Sequence, residues 1–261
     1  MIVKNEEANL QTCLDSMRGL ANEIVIVDTG STDATPQIAA RNGASLIPFD
    51  FAYVDFAAAR NQSLAHAHGD WIFVLDADET LYPASIPVIE ELTAGNERIG
   101  YYAERHNPTG IDYAVRLFPN SRDYRYRGRV HETITTTSRL RRSAIRIDHH
   151  HIQDADARCA KNHRYIAILK EEIAAHPTDD TRLDFLAAEY HQLEMYDEAT
   201  AVAERIVEAR PQDPTAHLNA GIYHLIYRPD PARARADFRR ALELKPGYPE
   251  ALAFLSQVNN T

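Results

Sequence analysis

The sequence predicts an α/β amino-terminal half with a mostly parallel sheet, followed by an all-α half of stacked helical hairpins. Three observations predict this. Short apolar runs alternate with amphipathic stretches from Ile2 to Leu75, the pattern of strands joined by crossover helices. One run, Trp71-Ile-Phe-Val-Leu75, is apolar throughout and stops on three acids, Asp76, Asp78 and Glu79. Prolines recur at spacings of 34 (177 to 211) and 35 (211 to 246) residues in the second half.

The 261 residues suffice for one large or two modest domains. Hydrophobic residues make up 44% and charged residues 25%, an ordinary globular balance. No apolar run approaches the roughly 18 residues a membrane helix needs. The net charge of −10 argues against general affinity for nucleic acid, although an anionic nucleotide can still bind where a cation bridges the charges. With no secretory signal at Met1 to Glu7, a cytoplasmic protein is expected. Cys13 and Cys159 have no metal-type spacing and are expected as free thiols.

In order, Ile2-Val3 is the stub of a strand. Asn9 to Leu20 places Leu10, Cys13, Leu14, Met17 and Leu20 on one helical stripe. Glu23 to Asp28 is a buried strand ending in an acid, and Ser31, Thr32 or Asp33 can cap the helix Thr35 to Asn42, which Gly43 closes. Leu46 to Phe49 is a third strand, and Asp55 to Ala67 an alanine-rich helix carrying Arg60 and Asn61. Trp71 to Leu75 is then the central fourth strand. Right-handed βαβ crossovers make this sheet Rossmann-like, with Asp28 and Asp76 at the carboxyl ends of two strands, where open α/β sheets bind ligands. Side chains alternate along an extended chain, so Asp76 and Asp78 are expected to point the same way. Two such carboxylates repel unless a hard divalent cation lies between them. The alternative is a solvated acidic loop. There is no Gly-x-Gly-x-x-Gly and no phosphate loop of the Gly-Lys-Ser/Thr type.

Four segments together resemble a known family: Ile2-Val-Lys-Asn-Glu-Glu7, Ile24-Val-Ile-Val-Asp-Thr-Gly-Ser-Thr-Asp33, Ala59-Arg-Asn61 and Gly69-Asp-Trp-Ile-Phe-Val-Leu-Asp-Ala-Asp-Glu79. In this order they are similar to family 2 glycosyltransferases of the GT-A fold, nearest the lipopolysaccharide-core glucosyltransferases and peptide S-glycosyltransferases. The resemblance implies a GT-A domain over residues 1–152 and an inverting transferase that uses a UDP-sugar with Mn²⁺ or Mg²⁺. It places Lys4, Asn5, Glu6, Asp28, Arg60, Asp76 and Ala77 around the nucleotide sugar, with Asp28 on the uracil and Asp76 on the ribose. Asp78 is implied as the ligand of the metal that bridges the phosphates. Members usually begin with several more strand residues, so the first strand is expected to be shortened.

Beyond the acidic motif, Ala84 to Thr93 reads as a helix, and Tyr101 to Arg105 and Tyr113 to Phe118 as strands about the turn Asn107-Pro-Thr-Gly110. The stretch Tyr124 to Glu132 ends in Gly-Arg-Val-His-Glu, a segment that borders the sugar and acceptor pocket in the resembled branch. Transfer needs a group that takes the acceptor's proton; Glu132 is the first choice and His131 the second, the alternative being that both only pair with Arg127 or Arg129. Arg116, Arg125, Arg127 and Arg129 either hold the diphosphate or form a solvated face. Ile145-Arg-Ile-Asp-His-His-His151 alternates as a strand, with Ile145, Ile147, His149 and His151 on one face. The resemblance implies His149 as a further metal ligand completing Asp78, and imidazole suits Mn²⁺ better than Mg²⁺.

The 34-residue period is the signature of tetratricopeptide repeats. Leu186-Ala187, Tyr190 and Ala199, then Ala220-Gly221, Ala234, Phe238 and Ala241, fall where the repeat needs small or filling residues, with one extra residue in the Tyr227-Arg-Pro-Asp230 turn. Asn162 to Ala175 completes a first partial unit and Glu250 to Val258 caps the stack, giving an all-α repeat domain over 161–261, after a polar junction from Gln153 to Ala160. Such repeats brace a neighbour, self-associate or bind a protein partner.

The first reading is an inverting, metal-dependent glycosyltransferase that moves a sugar, glucose or N-acetylglucosamine, to a saccharide, lipid-linked or peptide acceptor. The second is a non-catalytic scaffold whose repeats bind a protein beside a reduced nucleotide-binding domain. A nucleotidyltransferase ranks third, because no basic, glycine-rich loop follows the first strand.

Overall fold

The structure, a computed structural model, describes residues 1–108, 110–150 and 155–259. It divides into two compact units, Met1–Ile152 and Gln153–Thr261.

The first unit is an α/β layered fold. Its first three strands, β1 (Ile2–Val3), β2 (Val25–Asp28) and β3 (Ser45–Pro48), form a parallel sheet in that order. The crossovers are α1 (Leu10–Ser16) and α2 (Thr35–Arg41). None of the three residues expected to cap α2 occupies its N-cap, which is Ala34; one residue earlier, the Asp33 carboxylate accepts from Thr35 N at 2.9 Å. Helix α3 (Phe56–Ala65) is capped by Asp55, which accepts from Ala58 N at 2.7 Å. The fourth strand, β4 (Trp71–Phe73), is followed by β5 (Glu79–Leu81), α4 (Ser85–Ala94), β6 (Gly100–Asn107) and β7 (Gly110–Pro119). A small ribbon, β8 (Arg125–Arg127) with β9 (Thr133–Thr135), precedes β10 (Leu140–His149).

Here the expected mostly parallel sheet needs refinement. A second sheet, in the order β4-β7-β6-β10-β5, is mixed: β6 and β10 run parallel, and every other pair is antiparallel. The parallel pattern ends where the βαβ alternation ends. The strand β5 was not expected at all, since three residues after an acidic turn carry too little pattern.

Both faces of this framework are covered. Leu10, Cys13 and Leu14 of α1, Ile38 of α2 and Ile89 of α4 pack with Ile26, Leu75, Leu117, Ile145 and Ile147. On the other side Ala57 and Leu64 of α3 pack with Val74, Phe118, Tyr124 and Tyr126. The adjacent residues Val74 and Leu75 thus serve opposite cores, as extended backbone requires.

The second unit is all helical: α5 (Ala155–Ala175), α6 (Thr181–Gln192), α7 (Tyr196–Ala209), α8 (Pro214–Ile222), α9 (Pro231–Leu244) and α10 (Pro249–Asn259). Each packs on the next. The polar junction expected up to Ala160 is corrected: α5 already starts at Ala155, while Gln153, Asp154 and His151 lie outside the described residues. Gly221 is required by contact. A Cβ there would come within 2.6 Å of the Phe238 ring, and Phe238 is fully buried with Ala234, Ala241 and Ala251. The extra residue of this repeat is met by a π-helical turn, Tyr223–Tyr227, directly before the turn where it was expected; a π turn takes up more residues than an α turn. No described helix is long and apolar enough to cross a membrane.

Candidate active site

The residues singled out above form two clusters, one in the loops after β1 and β2 and one in the turn after β4 with the segments that face it. The loops after β1 and β2 are stitched together. Ser31 Oγ accepts from Asn5 N at 2.9 Å, Asn5 Oδ1 from Thr32 N at 2.8 Å, and Thr35 Oγ1 from Glu6 N at 2.7 Å. Asn5 has φ +56°, a left-handed conformation that asparagine tolerates. Its side chain shapes the loop. Glu6 Oε2 accepts from Asn9 Nδ2 at 2.9 Å, and Lys4 is exposed. Asp28 Oδ1 accepts from Gly30 N, Ser31 N and Ser31 Oγ at 3.2, 2.9 and 2.7 Å, closing the turn at the end of β2.

The acidic motif does not run on as a strand. β4 stops at Phe73, although Val74 N still donates to Arg116 O at 2.7 Å, and a turn forms in which Glu79 N donates to Asp76 O at 3.1 Å. The expected alternation of Asp76 and Asp78 is therefore corrected: with the turn between them, the two acids take different partners. Asp76 lies between two guanidinium groups, Oδ1 2.8 Å from Arg60 Nη1 and Oδ2 3.1 Å from Arg116 Nη2. Burial alone would push its carboxyl up, but Arg60 and Arg116 outweigh burial and hold it well below the usual carboxylate range. Its backbone oxygen also accepts from Cys13 Sγ at 3.3 Å. Ala77 is buried beside it.

Asp78 turns instead to the end of β10. Its Oδ2 is 3.1 Å from His149 Nε2, and both side chains are about a quarter exposed, 22% and 24%. The hydrogen bond that Asp78 accepts raises the His149 imidazole above its ordinary value. Asp78 O also accepts from His150 N at 3.0 Å, while His150 Nε2 lies 2.7 Å from Thr80 Oγ1.

Glu132 is joined to this site by Arg60, whose Nε donates to Glu132 Oε1 at 2.5 Å. One guanidinium thus spans Asp76 and Glu132. The motif residue beside it, Asn61, explains how: its Nδ2 donates to Tyr126 O and its Oδ1 accepts from Tyr126 N, both at 2.9 Å, so α3 grips β8 like an added strand. His131 is held at φ +49°. Arg129 anchors the loop before α3, donating from Nε to Val54 O at 3.0 Å and stacking 3.7 Å from the Tyr53 ring centre. Arg116 belongs to no solvated face; it is 5% exposed. Arg125 and Arg127 are exposed.

Sequence reasoning missed Glu79 and Arg105. Sequence analysis assigns Glu79 no task of its own beside Asp76 and Asp78, yet its side chain is 0% exposed, 2.7 Å from Arg116 and 3.5 Å from Arg105 Nη1. Arg105 in turn meets Asp112 through two bonds of 2.9 Å. The available signal was Thr80-Leu81, which lets Glu79 be read as the first residue of a strand.

The donor set at Asp78 and His149, one carboxylate oxygen and one imidazole nitrogen, suits Mn²⁺ or a similar ion. Among the described residues no group of three or more His, Cys, Asp or Glu converges to hold an ion. Alone the pair would supply two of the ligands such an ion needs. A cavity of about 550 Å³ in this unit, lined by residues such as Met17, Leu20, Leu64, Trp71 and Ile89, includes none of these acids.

A mixed α/β domain with an acidic turn at its strand ends, joined to tetratricopeptide repeats, is the class that fold and site define. The family model for glycosyl transferase family 2 matches residues 1–157, and the chain belongs to that family. A TPR repeat-containing protein of Synechococcus elongatus is 39% identical over 138 residues, 51% of this chain and 34% of the relative. The SPbeta prophage-derived glycosyltransferase SunS of Bacillus subtilis is 26% identical over 212 residues, 76% and 50% of the two chains. The lipopolysaccharide core biosynthesis glycosyltransferase LpsC of Rhizobium meliloti is 34% identical over 116 residues, 43% of each. The matched segments span a third to a half of these curated relatives' own length.

Proposed function

We propose that this chain is an inverting glycosyltransferase that moves a sugar, glucose or N-acetylglucosamine, from a UDP-sugar to a saccharide, lipid-linked or peptide acceptor. The observation that carries the reading is the Arg60 bridge. It sets Glu132, the proposed base, on one side of a guanidinium and Asp76, in the acidic donor motif, on the other. Membership of the family and the likeness to SunS and LpsC support the reaction class.

In this mechanism the loops after β1 and β2, with Lys4, Asn5, Glu6 and Asp28, receive the nucleoside, and Asp76 and Ala77 meet the ribose. Asp78 and His149 would hold a divalent ion, which when bound supplies positive charge to the diphosphate. Glu132, with His131 as the second candidate, accepts the acceptor's proton as the new glycosidic bond forms on the sugar face opposite UDP and the sugar–phosphate bond breaks, UDP leaving with its electron pair. Arg60 keeps the Glu132 carboxylate oriented. The test is transfer or hydrolysis of UDP-sugars with Mn²⁺, compared with Asp78→Ala. Loss of several kcal/mol of charge stabilisation lowers the rate on the order of a hundredfold to a thousandfold. Unchanged turnover in Asp78→Ala removes the metal assignment.

A further inference from the structure

The acidic turn is closed by two buried residues that the proposed chemistry does not touch. Glu79 Oε2 accepts from Asp76 N at 3.0 Å, and Glu79 N donates to Asp76 O at 3.1 Å, so the two ends of the turn are tied to each other. Arg116, on β7, fastens the same ends from outside: Nη2 donates to Glu79 Oε1 at 2.7 Å and to Asp76 Oδ2 at 3.1 Å. Asp78 stands inside the loop so closed. Across the β5–β10 ladder, Glu79 is the direct register partner of His149. The residue that closes the turn is therefore also the residue that fixes the strand position of the imidazole facing Asp78.

Buried ion pairs are poor sources of stability, because desolvation offsets much of their attraction and apolar side chains of equal volume hold a fold as well. A fully buried Glu79 facing a buried Arg116 does something apolar residues could not: it orients a polar turn through three directed side-chain bonds. We infer that Arg116 and Glu79 are positioning residues that set Asp78 against His149 in the arrangement that receives a divalent ion and a diphosphate, while touching neither. The inference rests on the reading of Asp78 and His149 given above. It removes Arg116 from the residues available to grip the diphosphate and gives Glu79 a task distinct from that of the acids before it.

The experiment measures Mn²⁺ binding in the presence of UDP, by electron paramagnetic resonance on the whole chain, together with amide exchange at Asp76 and Glu79. Variants are Arg116→Lys, which keeps the charge but puts it on a shorter side chain without the planar guanidinium, Glu79→Gln, and the double variant Glu79→Gln with Arg116→Met. Each single variant is expected to weaken Mn²⁺ binding about tenfold to a hundredfold, the usual effect of removing support behind a metal ligand, with faster exchange at Asp76 N. In turnover, the donor KM rises and the acceptor KM holds. The double variant, free of an unpaired buried charge, is expected to fold and still bind weakly. Wild-type affinity and exchange in the single variants overturn the inference. So does wild-type affinity in the double variant, or its failure to fold, which would make the pair a stability element. Absence of Mn²⁺·UDP binding in the unmodified chain instead overturns the metal reading itself, and this inference with it.

Discussion

The two units bury polar groups in contrasting ways. In the amino-terminal unit carboxylates and guanidinium groups alternate in one chain, from Glu132 through Arg60, Asp76, Arg116, Glu79 and Arg105 to Asp112. Its members come from α3, the acidic turn, β5, β6, β7 and the loop before β9, up to 72 residues apart. In the helical unit the buried polar cluster is local. His224 lies 2.9 Å from Asp237 and 3.1 Å from Glu204, both on neighbouring helices. The contrast separates two kinds of sequence information. Where packing is periodic, the spacing of small and aromatic residues already names the partners. Where a site is assembled from distant segments, neighbouring acids in the sequence need share no partner.

The sharpest test of that contrast lies at the end of the charge chain. Glu132→Gln keeps the shape of the side chain and removes its basicity, so transfer falls by about a hundredfold to ten-thousandfold, while thermal unfolding shifts little. Measured kcat at saturating donor and acceptor decides it. Retention of wild-type kcat would pass the role of base to His131.

The periodic unit answers to volume instead. Phe238 is 0% exposed against Gly221, so Phe238→Ala leaves a cavity costing about 3–5 kcal/mol. The expected result is a lowered unfolding midpoint of the helical signal in circular dichroism. A loss below 1 kcal/mol would mean that the repeat collapses into the space and that the Gly–Phe contact is not what fixes its spacing.

This is also why the two halves differed in legibility. Tetratricopeptide helices follow from a period that survives burial, and the deviations are confined to the earlier start of α5 and the π-helical turn before Arg228. In the α/β unit the first three strands and their crossovers were legible, because each carries its own apolar run. β5 and the mixed second sheet were not, since antiparallel pairing with β7 and β10 depends on residues 40 to 70 positions away. The candidate residues were legible as a set through their motifs. Their pairing was not: alternation along a strand predicted common orientation for Asp76 and Asp78, and a turn after Leu75 gave one to Arg60 and Arg116 and the other to His149. No local pattern encodes that turn. It is held by Arg116 and Glu79, and the bond between these two spans 37 residues.

The smallest effect compares like with like. Asp55 caps α3 by accepting from Ala58 N, and Asp230 caps α9 by accepting from Arg233 N at 3.0 Å. Replacing either with alanine removes one hydrogen bond to a helix terminus and costs about 1 kcal/mol. The thermal effects are expected to match, but the catalytic ones are not. α3 carries Arg60 and Asn61, and its first turn is anchored by Phe56 N donating to Arg129 O at 2.8 Å. Fraying at Asp55 therefore loosens the guanidinium that spans Asp76 and Glu132, and Asp55→Ala should lower kcat as well as stability. Asp230→Ala, on a helix whose buried residues Ala234, Phe238 and Ala241 pack in the repeat core, should leave kcat at the wild-type level. Equal losses of kcat in the two variants would show that the α3 cap has no particular part in orienting Arg60.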